Sequence, residues 1–246
     1  MNARLPAAAN STLLAIDAEQ QIGQIAVQLP GSTAVFRRLK LDFCCGGQIS
    51  LRQATADKGL DLQAVLDELA ALQRPSTLPD AGTPTELIDH ILTRYHDVHR
   101  AQLPELIRMA RRVEAVHRDH PDVPAGLADA LDAMHAELLS HMRKEELMLF
   151  PLLKAGGHPL AGQPIGVMRE EHTDHGEALD RLAALTHDAT PPQGACNTWR
   201  ALYAGIAQLS DDLINHIHLE NNVLFPQFET AADAAQGCGS SGCACG

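Results

Sequence analysis

The sequence predicts an all-α protein: an up-down-up-down four-helix bundle preceded by a small helical N-terminal domain. Three observations predict it. The pattern H-x-x-x-E-x-x-x-L-F-P occurs twice, from His141 to Pro151 and from His216 to Pro226, 75 residues apart. A pair of histidines moves with it: His96 and His99 against His172 and His175, offset by 76. Alanine and leucine dominate while aromatic residues make up 3%, a balance that favours helix. The region from about 84 to 228 therefore reads as two copies of one helix pair.

The elements follow in order. Residues 1–12 read as a loose tail. Residues 13–72 form the small helical domain, with an apolar segment from Ile22 to Leu29 and a short helix from Ser32 to Leu39. A further helix from Asp61 to Leu72 carries Leu62, Val65, Leu66 and Leu69. That i, i+3, i+4, i+7 spacing is one helix face. Between these two helices lies Asp42-Phe43-Cys44-Cys45-Gly46-Gly47. Residues 73–84 are a linker by composition. The bundle occupies 85–230. Its first helix runs from about Thr85 to His117, with a kink expected at Pro104. The second starts after Pro121 and Pro124 and ends at Pro151. The third runs from about Ile165 to Thr186 and the fourth from about Gly194 to Phe228. Each Leu-Phe-Pro reads as core packing and helix termination. Residues 231–246 are a flexible tail of Cys, Gly and Ser.

Composition excludes some functions. A net charge of −12 argues against nucleic acid, because phosphate binding needs clustered Lys and Arg. No apolar run follows a basic start, so no signal peptide is expected. No stretch approaches the roughly 20 apolar residues of a membrane span. The expected location is cytoplasmic, and the six cysteines are then thiols or metal ligands rather than disulfides.

The repeated spacing carries the chemistry. Residues four apart on a helix share a face. His141 and Glu145 therefore point together, as do His216 and Glu220, while His96 and His172 come in from the first and third bundle helices. A carboxylate can bridge two cations, and an imidazole supplies one neutral nitrogen. Imidazole suits Fe, Zn and Cu, whereas structural zinc wants a closed four-ligand site. Six ligands shared by two ions fit an open di-iron centre. His99 and His175 lie one turn from these ligands and read either as direct ligands or as groups behind them. Glu137 and Glu171 read as hydrogen-bond partners of a ligand or as the lining of a polar path to the metals. His218 points away. His90, His117, His120, His135, His158 and His187 read as surface or capping residues, and Cys196 as packing.

These motifs resemble those of the repair-of-iron-centres family, bacterial iron-sulfur cluster repair proteins with a hemerythrin-like di-iron domain. The resemblance rests on Asp42 to Gly47 together with Arg94-Tyr-His96-Asp, Ser140-His141-Met-Arg-Lys-Glu145-Glu, Glu171-His172 and His216-Ile-His-Leu-Glu220-Asn-Asn-Val-Leu-Phe-Pro226. It covers roughly residues 20 to 228. It implies two non-haem Fe ions, oxo-bridged, with His96, His141, His172 and His216 as terminal ligands and Glu145 and Glu220 as bridges. It implies repair of clusters damaged by nitrosative or oxidative stress, through supply of iron, reaction with nitric oxide, or both. Nitric oxide reduction would be the enzymatic form. The implied partners are damaged or apo iron-sulfur proteins, with nitric oxide or oxygen as small ligand, and a homodimer. Glu137 and Glu171 match positions lining a polar channel.

Cys44 and Cys45 are neighbours and form no unstrained disulfide. The adjacent glycines suggest a tight turn exposing the thiols, for exchange with nitric oxide or contact with iron or a damaged cluster. Cys238, Cys243 and Cys245 depart from the family pattern and read either as a thiolate arm that hands over metal or as an incidental tail. The alternative function is hemerythrin-like binding or sensing of oxygen or nitric oxide. A ferritin-type oxidase is a third, disfavoured by the histidine-rich ligands.

Overall fold

Among the described residues the regular elements are helices, joined by one isolated antiparallel bridge between Gln21 and Ser50. The structure is a computed structural model and describes residues 16–29, 32–72, 83–157 and 161–229. It divides into two compact units, Met1–Asp80 and Ala81–Gly246.

In the first unit, α1 (Ile22–Gln28), α2 (Ser32–Arg38), α3 (Leu51–Asp57) and α4 (Leu62–Ala71) enclose Ile22, Ile25, Phe36, Phe43, Leu51 and Leu69. The sequence reading missed α3. Its start is nevertheless signalled, because the Ser50 hydroxyl accepts from the Gln53 amide and Ser-x-x-Gln is a capping pattern. The glycines after the cysteines are required by packing. The Gly23 amide donates to the Gly47 carbonyl at 2.9 Å, and a Cβ on Gly47 would meet the Phe43 carbonyl and stand 2.9 Å from the Gly23 Cα.

In the second unit, Thr83 and Glu86 form a reciprocal capping box with Pro84 at the first helical position, where its missing N–H costs nothing. The first bundle helix is α5 (Pro84–Ile91), a π-turn (Leu92–His96) and α6 (Asp97–Val116). The second is α7 (Leu127–Lys144), a π-turn (Glu145–Leu149) and α8 (Phe150–Lys154). The third is α9 (Gly162–Thr186). The fourth is α10 (Asn197–Leu219), a π-turn (Glu220–Leu224) and one 3₁₀ turn (Phe225–Gln227). α6 packs on α7 and α10, and α9 packs on the same two, which closes the bundle. One end of its core is apolar, built from Ile88, Ile91, Leu149, Phe150, Leu153, Ile165, Met168, Leu224 and Phe225.

α6 runs through Pro104, and a π-turn precedes it at Leu92–His96. One expectation needs correction. Pro151 does not end its helix, which continues to Lys154. A π-turn precedes Pro151, with the Phe150 amide donating back to the Glu145 carbonyl. The proline then sits in the first turn of α8, where its lack of an N–H is tolerated. Pro226 does stand in the last turn described. Phe150 and Phe225 are core residues as expected.

Candidate metal centre

The three π-turns are placed where the candidate ligands are. His96 ends the first, Glu145 begins the second and Glu220 begins the third. A π-turn widens the helix by one residue per turn and is common at functional sites. It lets a glutamate face the interior while the following residues return to the apolar core.

The six residues expected to meet do meet. His96 and Glu220 are fully buried, as are Glu145 and His172, and His141 and His216 are 1% exposed. They form two groups that share both carboxylates: His96, His216, Glu145 and Glu220, and His141, His172, Glu145 and Glu220. Within each group the donor atoms lie within 4.8 Å of one another. The Nε2 atoms of His96 and His216 stand 3.2 Å apart, and those of His141 and His172 stand 3.1 Å apart. Two donors each about 2.1 Å from one ion would stand about 3.0 to 3.4 Å apart.

The other ring nitrogens fix which atom faces inward. His96 Nδ1 donates to Glu146 Oε1 at 2.7 Å, and His141 Nδ1 donates to Glu171 Oε2 at 2.8 Å. Carboxylates only accept, so these Nδ1 atoms carry the proton, and in the neutral ring Nε2 offers its lone pair. His172 Nδ1 pairs likewise with Asn221 Oδ1 at 2.8 Å. Glu146 is held by Arg100 at 2.6 Å, and Glu171 by Lys144.

Charge makes the case for a cation. Both oxygens of Glu145 and Oε2 of Glu220 are buried without a well-formed hydrogen bond among the described residues. Histidine nitrogens approach them at 3.0 to 3.3 Å but out of line. Burial, and for Glu145 the neighbouring Glu220, push these carboxyls up, yet the surrounding histidines hold both below the usual range. Burial opposes a proton on His141, but Glu145, Glu220 and Glu171 together push it up to about 9. His96 is raised in the same way, with Glu145 the main opponent of burial. Burial and His96 keep His216 low. Two buried anions, three of whose four oxygens lack an aligned donor while Glu220 Oε1 pairs with His216 Nε2 at 3.2 Å, and four converging imidazole nitrogens fit the donor set of a metal site.

Comparison with known proteins agrees with this geometry. Residues 87–228 match the hemerythrin HHE cation binding domain family. Residues 18–73 match a domain of unknown function, DUF542. The chain is 51% identical over 212 residues to the iron-sulfur cluster repair protein YtfE of Dickeya chrysanthemi, covering 85% of this chain and 96% of that one. It is 51% identical over 211 residues to the protein of that name from Cronobacter sakazakii, with the same coverage. The Escherichia coli K12 protein of that name is 49% identical over 211 residues.

The chain belongs to the repair-of-iron-centres family. Its bundle is a hemerythrin-type cation-binding domain whose buried His and Glu groups fit a metal site.

Other residues named from the sequence fall into place around that site. Glu171 touches a ligand, whereas Glu137 lines, with Glu171, Lys144 and His175, a cavity of about 600 Å³ between α7 and α9. His99 and His175 are buried outside both ligand groups, and burial lowers each to about 3, so both are neutral. Their rings pack behind ligands, His99 on His216 at 5.6 Å and His175 on His141 at 4.8 Å.

Cys44 and Cys45 are partly exposed in the turn after α2, their sulfurs 3.8 Å apart. Asp42 shapes this turn by accepting from the Cys45 and Gly46 amides at 2.9 Å. The Cys44 Sγ donates to Asp42 at 3.3 Å, and contact with Cys45, then burial, raise its thiol. Cys238, Cys243, Cys245 and His158 lie outside the described residues.

Sequence reasoning missed Glu146, Asn221 and the contact of Cys196 Sγ with His117 Nε2 at 3.2 Å. The first two were findable, since each follows a shared glutamate in the repeat. Among the described residues no helix is long and apolar enough to cross a membrane.

Proposed function

We propose that this protein repairs iron-sulfur clusters damaged by nitrosative or oxidative stress, in the cytoplasm, with two non-haem irons in the buried centre. His96 and His216 would hold one ion, His141 and His172 the other, and Glu145 and Glu220 would lie between them. The carrying observation is that both buried glutamates belong to both histidine groups. Relatives named as iron-sulfur cluster repair proteins, matched over 96% of their length, support the reading.

Bound iron would supply labile ferrous ions and a centre that reacts with nitric oxide. The chain's own residues do the rest. Glu146, Glu171 and Asn221 aim three imidazoles inward and keep their Nε2 atoms bare. The two glutamates neutralise part of the cationic charge. The shell of Phe150 and Phe225 against His96 and His172 excludes water from one side. Cys44 and Cys45 offer thiols at a partly exposed turn, for exchange with nitric oxide or contact with a damaged cluster.

Anaerobic purification, iron quantification and spectra with and without nitric oxide test this, followed by transfer to an apo iron-sulfur protein. About two irons per chain and recovery of the acceptor are expected. Zinc instead of iron overturns the reading. So do Glu145→Ala and Glu220→Ala variants that keep normal iron content and cluster recovery.

A further inference from the structure

The internal repeat supplies its own control, because equivalent residues of the two halves can be compared. The residue after each shared glutamate is Glu146 in one half and Asn221 in the other. Both do the same work: Glu146 accepts from His96 Nδ1 at 2.7 Å and Asn221 from His172 Nδ1 at 2.8 Å. The residue before the candidate ligand histidine of the first and third bundle helices, His96 and His172, is Tyr95 in one half and Glu171 in the other. Here the halves part. Glu171 accepts from His141 Nδ1 at 2.8 Å. The Tyr95 ring instead lies flat on His216, centroids 5.3 Å apart and planes 6° from parallel.

A stacked ring cannot accept an in-plane N–H. His216 Nδ1 is accordingly buried without a hydrogen-bond partner among the described residues. Tyr95 is itself kept in place by the Arg94 guanidinium, 5.0 Å from its centroid, which Asp212 holds at 2.6 Å. Three of the four imidazoles are thus pinned from behind, and the fourth is only stacked. An outer hydrogen bond orients a ligating imidazole and raises its basicity, and its loss typically costs about 10- to 100-fold in metal affinity.

We propose that the two ion positions are unequal, and that the ion held by His96 and His216 is the weaker-bound one that is released first. This rests on the paired-iron reading above. The ion held by His141 and His172 is then the retained one, since both its imidazoles are anchored. The asymmetry lets one chain give up an ion and keep its fold.

The test loads the full chain with ferrous iron anaerobically and challenges it with a coloured ferrous chelator. Two release phases of equal amplitude are expected, with rates about 10- to 100-fold apart. Asn221→Leu should accelerate the slow phase and leave the fast one. Asn221→Asp should slow the slow phase further. Tyr95→Gln, which gives His216 an acceptor, should slow the fast phase, whereas Tyr95→Phe keeps the stack and should change neither. Circular dichroism confirms folding of each variant, and the Asn221→Asp arm decides the matter where Tyr95→Gln fails to fold. A single release phase in the unaltered chain, or Asn221 variants that move the fast phase, overturns the proposal. Failure of the unaltered chain to retain any iron sinks the paired-iron reading itself.

Discussion

Glu145 and Glu220 are wholly buried, and their oxygens lie within 4.8 Å of each other and of both histidine pairs. Two carboxylates at that separation inside a bundle repel, and burial adds a desolvation cost. A cation between them removes both penalties. Ferrous iron should therefore stabilise the metal-free chain, by about 2.7 kcal/mol per bound ion at a hundredfold excess over Kd, and raise its Tm. Glu145→Gln should abolish that rise. Differential scanning calorimetry with and without iron measures it, and an unchanged Tm in the unaltered chain would count against the site.

Glu171 and Glu137 line one cavity, but only Glu171 touches a ligand. Glu171→Ala leaves His141 Nδ1 without its acceptor and frees Lys144. Metal affinity should fall about 10- to 100-fold, while Glu137→Ala should leave it within a few-fold. Competition against a chelator of known affinity separates the two. Equal losses would show that the cavity's charge matters and the hydrogen bond does not.

Asp212 carries an acid dependence. Its side chain is 5% exposed, and although burial pushes its carboxyl up, the bond to Arg94 holds it below the usual range. A depressed carboxyl adds stability above its unfolded value, about 3.9, and loses it as pH falls through the folded value. Because Arg94 is 42% exposed, the pair contributes only about 1 kcal/mol. Asp212→Asn should cost that amount at neutral pH and nothing near pH 2. Urea titrations at both pH values check the sign.

Gly47 leaves no room for a side chain. Its Cβ would press on the Phe43 carbonyl and on Gly23 of α1, and backbone cannot yield as a flexible side chain does. Gly47→Ala should destabilise the N-terminal unit by about 1 to 3 kcal/mol while leaving metal binding intact. A lower-temperature transition that moves alone in a thermal scan is the expected result, and a metal stoichiometry that drops with it would contradict the division into two units.

The ligands were legible because coordination imposes spacing: a histidine and a glutamate one turn apart, twice, leave a periodic mark. The supports were less legible. Glu146 reads as one more charge on a helix, and Asn221 as one more polar residue. Only the fold shows that each reaches across to a histidine of another helix. That Tyr95 stands where the other half has Glu171 follows from the 76-residue offset, but what each does to a histidine shows only in the fold. The π-turns were invisible for a different reason. Hydrophobic periodicity tolerates one extra residue, so Glu145–Leu149 passes for ordinary helix. Leu-Phe-Pro was read as an ending because proline usually is one, and the wide turn ahead of Pro151 changes that.

A wide turn at Glu145–Leu149 and again at Glu220–Leu224 takes up one extra residue without changing the phase of the helix beyond it. Deleting one residue there would restore ordinary α pitch, about 100° per residue, and leave the remainder of the helix facing as before. Phe150, now 5.7 Å from His96, and Phe225, 6.0 Å from His172, would stay against the rings they cover. Both halves of the bundle carry this spare residue in the turn that begins at the candidate bridging glutamate. A single-codon deletion at either place would leave the whole ligand inventory in the gene and the aromatic cover in place, and would alter only the local aim of that glutamate.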